Sequence, residues 1–305
     1  MTLLAILGVI SSAIYSGTSL LYATLGEVVG ERAGIVNLGL EGVLLVSASV
    51  GVSVTSLTHN AYLGVLAALL AGGLMNLVFG YLVITRKANQ LASGLATMFL
   101  GFGLSALIGA NVVGARIATL PRVLLPGLSG LPPVYSSLFK FDMLVFLVIP
   151  MAVLLWWLLF RTRWGLGLRA VGENADIAFA SGRNPLWIRY QALFVAGLLA
   201  GLGAAHLTLA YTMTWSEYMT GGRGFIAVAL VIFSKWHPLR AIAGALLFSG
   251  AVAFQLLMQA SGVQISPFLL DTLPYLFTIV VLIAWGGNRT QSAPASLGRV
   301  YLGTE

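Results

Sequence analysis

Apolar residues run through this chain in long stretches that charge does not interrupt. No charged residue falls between Glu41 and Arg86, between Lys87 and Arg116, between Arg189 and Glu217, or between Arg240 and Asp271. Each window holds one or two helices of about 20 residues, the length that crosses a bilayer. The pattern predicts spans near 3–25, 36–57, 61–84, 90–111, 143–160, 190–211, 224–234, 239–260 and 271–285. The seventh, GFIAVALVIFS, is too short to cross unaided. Segments such as MLVFLVIPMAVLLWWLLF, residues 143–160, lack the polar/apolar alternation of a transmembrane β-barrel. The first span has no basic segment before it and no convincing cleavage site after it, so it reads as a retained helix and not a signal peptide.

Composition agrees. Hydrophobic residues make up 59% and charged residues 8%, against about 25% charged in a soluble domain, and mean hydropathy is +0.96. The fold class expected is all-α: a polytopic membrane protein of about nine helices, with a range of 8–10. There is no cysteine, hence no disulfide or thiolate metal site. The net charge of +7 does not suggest nucleic acid, because the basic residues are scattered among loops and follow topology. One set of loops carries twelve (Arg32, Arg86, Lys87, Arg161, Arg163, Arg169, Arg183, Arg189, Lys235, Arg240, Arg289, Arg299) and the other four (Arg116, Arg122, Lys140, Arg223). Cytoplasmic loops are the Lys/Arg-rich ones, so the C-terminus is expected in the cytoplasm and the N-terminus outside.

A single membrane unit, residues 1–285, is therefore expected, followed by a polar cytoplasmic tail, 286–305, whose composition predicts disorder. The outer loop 112–142 is rich in Pro, Gly and Ser and reads as irregular turns. The inner loop 161–189 contains a helix-like core, NADIAFASG. Asn174 can cap its start, and Gly182 followed by Asn184-Pro185 stops it. This loop is either a handle for a cytoplasmic partner or a solvated loop whose arginines fix topology. SKWHPLR, 234–240, is a competing candidate for the partner contact, with Trp236 and His237 beside Pro238, but reads rather as a tight turn with an interfacial aromatic anchor.

Catalytic signatures are missing. His59, His206 and His237 are far apart in sequence, and there is no paired metal-ligand spacing, no GxxxxGK[ST] phosphate loop and no GxSxG. What stands out is ERAGIVNLGLEGVLLVSA, 31–48, in which Asn37 and Glu41 are four residues apart. On a helix they would share a face and bond each other. Glu41 either pins a bend near the start of its helix or takes part in passage of a solute; in both cases the pair faces protein and not lipid.

GERAGIVNLGLEGVLLVSA (30–48) resembles the signature of the permease subunits of bacterial ABC importers of the branched-chain amino acid, ribose and nucleoside group, and is most similar to the nucleoside type. RKANQLASGLATMFLGFGLSALIG (86–109), TRWGLGLRAVGENADIAFASGRNPLWIRY (162–190) and GRGFIAVALVIFSKWHPLRAIAGALLFSG (222–250) agree in order. The resemblance implies a multi-pass subunit of the bacterial plasma (inner) membrane, surrounded by lipid. It implies three partners: an ABC ATPase, a second permease, identical or paralogous, and an external substrate-binding protein. It implies no cofactor on this chain, with ATP and Mg used by the ATPase. Asp176-Ile177-Ala178 followed by Gly182 is similar to the E-A-A-x-x-x-G docking pattern of importer permeases, with Asp for Glu and Ile for the first Ala. The coupling residues implied are Glu173, Asn174, Asp176, Ile177, Ala178, Gly182 and Arg183; Asn37 and Glu41 are the candidates for pathway or gating. A nucleoside or related heterocycle is the solute expected, with a sugar as the alternative. An ion-coupled carrier would bury carboxylates near mid-membrane, whereas Glu41 and Glu217 read as the only acids near the spans.

Overall fold

A computed structural model describes residues 3–124 and 140–261, the positions 266, 268–270, 272, 276, 279, 280 and 283, and the segment 293–299. Helix α1, Leu3–Arg32, runs 30 residues, about 45 Å. A link at 33–39 follows, then α2, Leu40–Thr58, and α3, Ala61–Gly80, which is capped by Asn60 and widened at its end by a π turn, Tyr81–Thr85. Asn89 caps α4, Gln90–Gly109. Strands β1, Arg122–Leu124, and β2, Lys140–Asp142, pair antiparallel, with Val123 opposite Phe141.

Asp142 then caps α5, Met143–Arg161. The loop beyond folds into α6, Arg163–Glu173, and the short α7, Ala175–Ala180. Helix α8, Pro185–His206, starts on Asn184 with Pro185 in its first turn and ends in a π turn, Leu207–Tyr211. The 11-residue α9, Arg223–Phe233, and α10, Pro238–Ala260, complete the described elements. Seven helices among the described residues are long and apolar enough to cross a membrane. The seventh expected span is the short α9, and the ninth, 271–285, lies mostly outside the described residues.

Close approach of backbones sets the packing. A methyl group at Gly101 of α4 would come within 2.5 Å of the Gly42 Cα in α2. One at Gly197 of α8 would meet the Gly72 carbonyl of α3 and come within 2.7 Å of the Asn76 Cβ, and one at Gly201 would lie 2.6 Å from the Leu69 Cα. Small residues at these crossings are how helices pack where lipid removes the usual hydrophobic drive between them.

Two expectations change here. The first helix continues past residue 25 to Arg32, which brings Glu27 and Glu31 into it, both 1% exposed. Glu41 and Glu217 are therefore not the only acids near the spans. The second helix starts at Leu40 and not at 36, because Gly34 takes a left-handed turn (φ +88°) and the chain through Asn37 is bonded by side chains of other helices.

Candidate functional site

Helix α9 begins in the middle of the bundle. The guanidinium of its first residue, Arg223, donates to the Ser16 carbonyl (3.2 Å) and to Ser19 Oγ (3.0 Å), and these serines stand about midway along α1. The chain reaches this point through the non-helical segment 212–222, which closes on two left-handed glycines, Gly221 and Gly222. The first turn of a helix leaves backbone N–H groups unpaired, a large cost away from water. Glu41 satisfies them: its Oε1 accepts from Thr220 Oγ1 (2.6 Å) and the Gly222 N–H (2.7 Å), and its Oε2 from the Gly224 N–H (2.6 Å). Gly224 has no side chain because the Glu41 backbone lies against it.

Asn37 and Glu41 are thus not bonded to each other, contrary to the shared helical face. Asn37 precedes α2, and its amide belongs to a second break, the link 33–39. There the Asn37 N–H donates to Glu27 Oε1 (2.8 Å), Asn37 Nδ2 to Asn76 Oδ1 (2.7 Å), and the Gly39 N–H to Asn37 Oδ1 (2.8 Å). Gln90 accepts from the Val36 N–H (2.9 Å), and Arg189 Nε donates to the Ala33 carbonyl (3.2 Å). Helices α1, α3, α4 and α8 each lend a polar side chain to one irregular stretch, which satisfies its non-helical backbone inside the bundle.

At the Arg32 end of α1, Trp236 is buried and donates Nε1–H to Glu31 Oε2 (2.6 Å), while Arg32 Nε donates to the Trp236 carbonyl (2.9 Å). The 234–240 turn is therefore anchored inward, on α1. His237 stacks on Phe160 with ring centroids 5.2 Å apart. At the other end, Asp142 and His206, both fully buried, face each other at 3.3 Å. None of these partnerships is visible from spacing in sequence.

Two adjoining cavities open beside α1, sharing Ser16 and Val252. One, of about 480 Å³, is walled by Tyr15, Phe141 and Tyr211 with Arg122 and Lys140. The other, of about 380 Å³, reaches the start of α9 and is lined by Thr220, Arg223, Phe248, Ser249 and Gln255 among others. Among the described residues, three cations and no carboxylate line them.

In the 161–189 loop, Asn174 Oδ1 accepts from the N–H groups of Asp176 and Ile177, each at 3.0 Å, and so caps α7. Gly182 turns left-handed (φ +79°), and Asn184 caps α8. Ala178 packs inward, whereas Ile177 and Phe179 are 65% and 48% exposed. Glu173 accepts from the Ala295 N–H (3.2 Å). The described part of the tail, 293–299, is therefore packed against this loop, where disorder was expected. Among the described residues no cluster of His, Asp and Glu suits a metal ion.

Broken helices packed into a multi-pass helical bundle, with cavities reaching its centre, define a membrane transport subunit. The chain belongs to the family described as branched-chain amino acid transport system / permease component, which it matches over residues 9–285; it is an ABC transporter permease, not a catalytic enzyme, and a multi-pass protein of the inner membrane. It is 36% identical to a putative glucose ABC transporter permease of Haloferax volcanii, TsgC13, covering 96% of this chain and 97% of that protein. It is 31% identical to the guanosine ABC transporter permease NupQ of Bacillus subtilis and 30% identical to the nucleoside ABC transporter permease NupC of Lactococcus lactis, covering 96% of each chain in both cases. No solved structure matches it.

Proposed function

We propose that the chain forms the solute pathway of an ATP-driven importer for nucleosides or related heterocycles, with its N-terminus outside and its C-terminus in the cytoplasm. The observation that carries the reading is the pair of adjoining cavities. Among the described residues, aromatic faces, hydroxyls and an amide line them together with three cations, and no acid does. Such a lining receives a neutral, electron-rich ring and repels an organic cation. A sugar is the second reading, supported by the glucose-named relative.

Helix α7 is the ATPase-docking element, with Ile177 and Phe179 as the apolar surface that enters the partner and Glu173, Asp176 and Arg183 at its polar rim. Asn174 and Gly182 set its two ends, and Ala178 holds it to the permease. ATP and Mg belong to the separate ATPase. A second permease, identical or paralogous, and an external binding protein complete the assembly. Asn37 and Glu41 hold the two breaks in the bundle, which makes them residues of gating and not of solute contact.

The test is reconstitution of the co-purified assembly with its binding protein, followed by ATP hydrolysis and uptake with guanosine, uridine and glucose. Nucleoside-stimulated hydrolysis and uptake support the reading. Stimulation by glucose alone replaces it with the sugar importer, and uptake without ATP overturns it.

A further inference from the structure

We infer that the C-terminal segment 293–299 is a strut that ties the ATPase-facing loop to the unwound link between α1 and α2. The inference rests on the docking role proposed for α7. Residues 293–299 lie along the base of that loop and bond it at Gly172 and Glu173. The Ser296 N–H donates to the Gly172 carbonyl at 2.9 Å, and Ser296 Oγ donates to the same oxygen at 2.6 Å. The Ala295 N–H donates to Glu173 Oε2. Gly172 and Glu173 are the last residues of α6 and immediately precede the Asn174 that caps α7.

From there the segment reaches the link. The Gly298 N–H donates to the Gly34 carbonyl at 3.3 Å, and the Arg299 carbonyl accepts from Gln90 Nε2 at 3.1 Å. Gln90 is the residue whose Oε1 receives the Val36 N–H. Gly34 has no room for a side chain, because Ser296 Oγ occupies the place of its Cβ. The α6 end also lies against the junction of α1 and the link: a Cβ at Gly172 would strike the Arg32 carbonyl and come within 3.4 Å of the Gly34 N. Seven residues of tail thus join the last turn of α6, the left-handed turn at Gly34 and the start of α4. Movement of α7 by its partner has a bonded route to the 33–39 break that does not pass through the membrane-spanning core.

Positions 295, 296, 298 and 299 contribute mostly backbone groups, so the strut depends on the chain being present and correctly bent. The test uses the full assembly reconstituted with its ATPase and binding protein, and reads guanosine, uridine and glucose taken up per ATP hydrolysed. Deleting residues 293–305, or Ser296→Pro, which removes both donors to Gly172, should leave ATPase recovery and hydrolysis within about twofold of wild type. Uptake per ATP should fall at least about tenfold, and Ser296→Thr should restore it. Unchanged uptake per ATP in both perturbed chains overturns the strut, as does parallel loss of recovery and hydrolysis, which indicates a merely structural role. Ile177→Asp in the same preparation tests docking separately: an assembly that keeps its ATPase despite this change refutes the role of α7 and leaves the uptake ratio of the tail variants to decide the strut.

Discussion

Replacing Glu41 tests the capped break at the centre of the bundle. Its carboxylate accepts three hydrogen bonds, two on Oε1 and one on Oε2, all at a buried site. In Glu41→Gln the amide oxygen retains the pair from Thr220 and Gly222, but the new NH₂ faces the Gly224 N–H, donor against donor. A buried unpaired N–H costs about 1–3 kcal/mol, and losing the anion at a helix N-terminus adds about 0.5–2 kcal/mol. The expected destabilisation is about 1.5–5 kcal/mol. Glu41→Ala strands all three donors and should be worse. Thermal unfolding of the purified permease in detergent, followed by uptake, measures both effects. Glu41→Ala melting at the wild-type temperature and transporting at the wild-type rate would refute the capping account. Wild-type stability with uptake abolished would instead assign Glu41 to solute passage.

The remaining expectations are narrower. Gly197→Val drives two methyl groups toward the Gly72 carbonyl and Asn76 and should abolish accumulation of folded protein, read by size-exclusion chromatography; a monodisperse variant would show that α3 and α8 can separate. Gln90→Leu removes the partner of the Val36 N–H and should destabilise by about 1–3 kcal/mol, seen as a lower melting temperature, whereas an unchanged one would mean water replaces the amide. Burial, then Arg240 and Arg32, push the His237 imidazole below its ordinary range, so the folded chain favours the neutral ring. As pH falls from the ordinary value through the depressed one, the unfolded chain takes up the proton first and stability declines. Melting curves at pH 7.5 and 5 should show that decline, and His237→Phe, which keeps the stack on Phe160, should flatten it.

The spans were legible because charge is kept out of their long apolar stretches, and the ends of α7 because Asn174, Gly182 and Asn184-Pro185 act through local backbone geometry. What sequence spacing misread was polar residues that act across the bundle. Glu27 and Glu31, beside Gly30, Arg32 and Gly34, fall beyond the first expected span, 3–25. The helix continues because Asn37 and Trp236 supply their carboxylates with donors from 10 and 205 residues away. Asn37 and Glu41 have helical spacing, yet the helix starts only at Leu40, since the preceding link has better partners in Gln90, Asn76 and Glu27. The tail looked disordered because its bonds are made by backbone groups, which composition does not report.

The contacts at Gly42 with Gly101 and at Gly72 with Gly197 leave no side chain between the backbones of α2 and α4, or of α3 and α8. Side chains between helices act as compliant spacers that change rotamer as helices slide; here there is nothing to compress. On the proposed function, helices α2, α3, α4 and α8 would act as a stator, and the strokes of the transport cycle would fall to the parts held by exchangeable hydrogen bonds: the capped half-helix α9, the 33–39 link and the loop that carries α7.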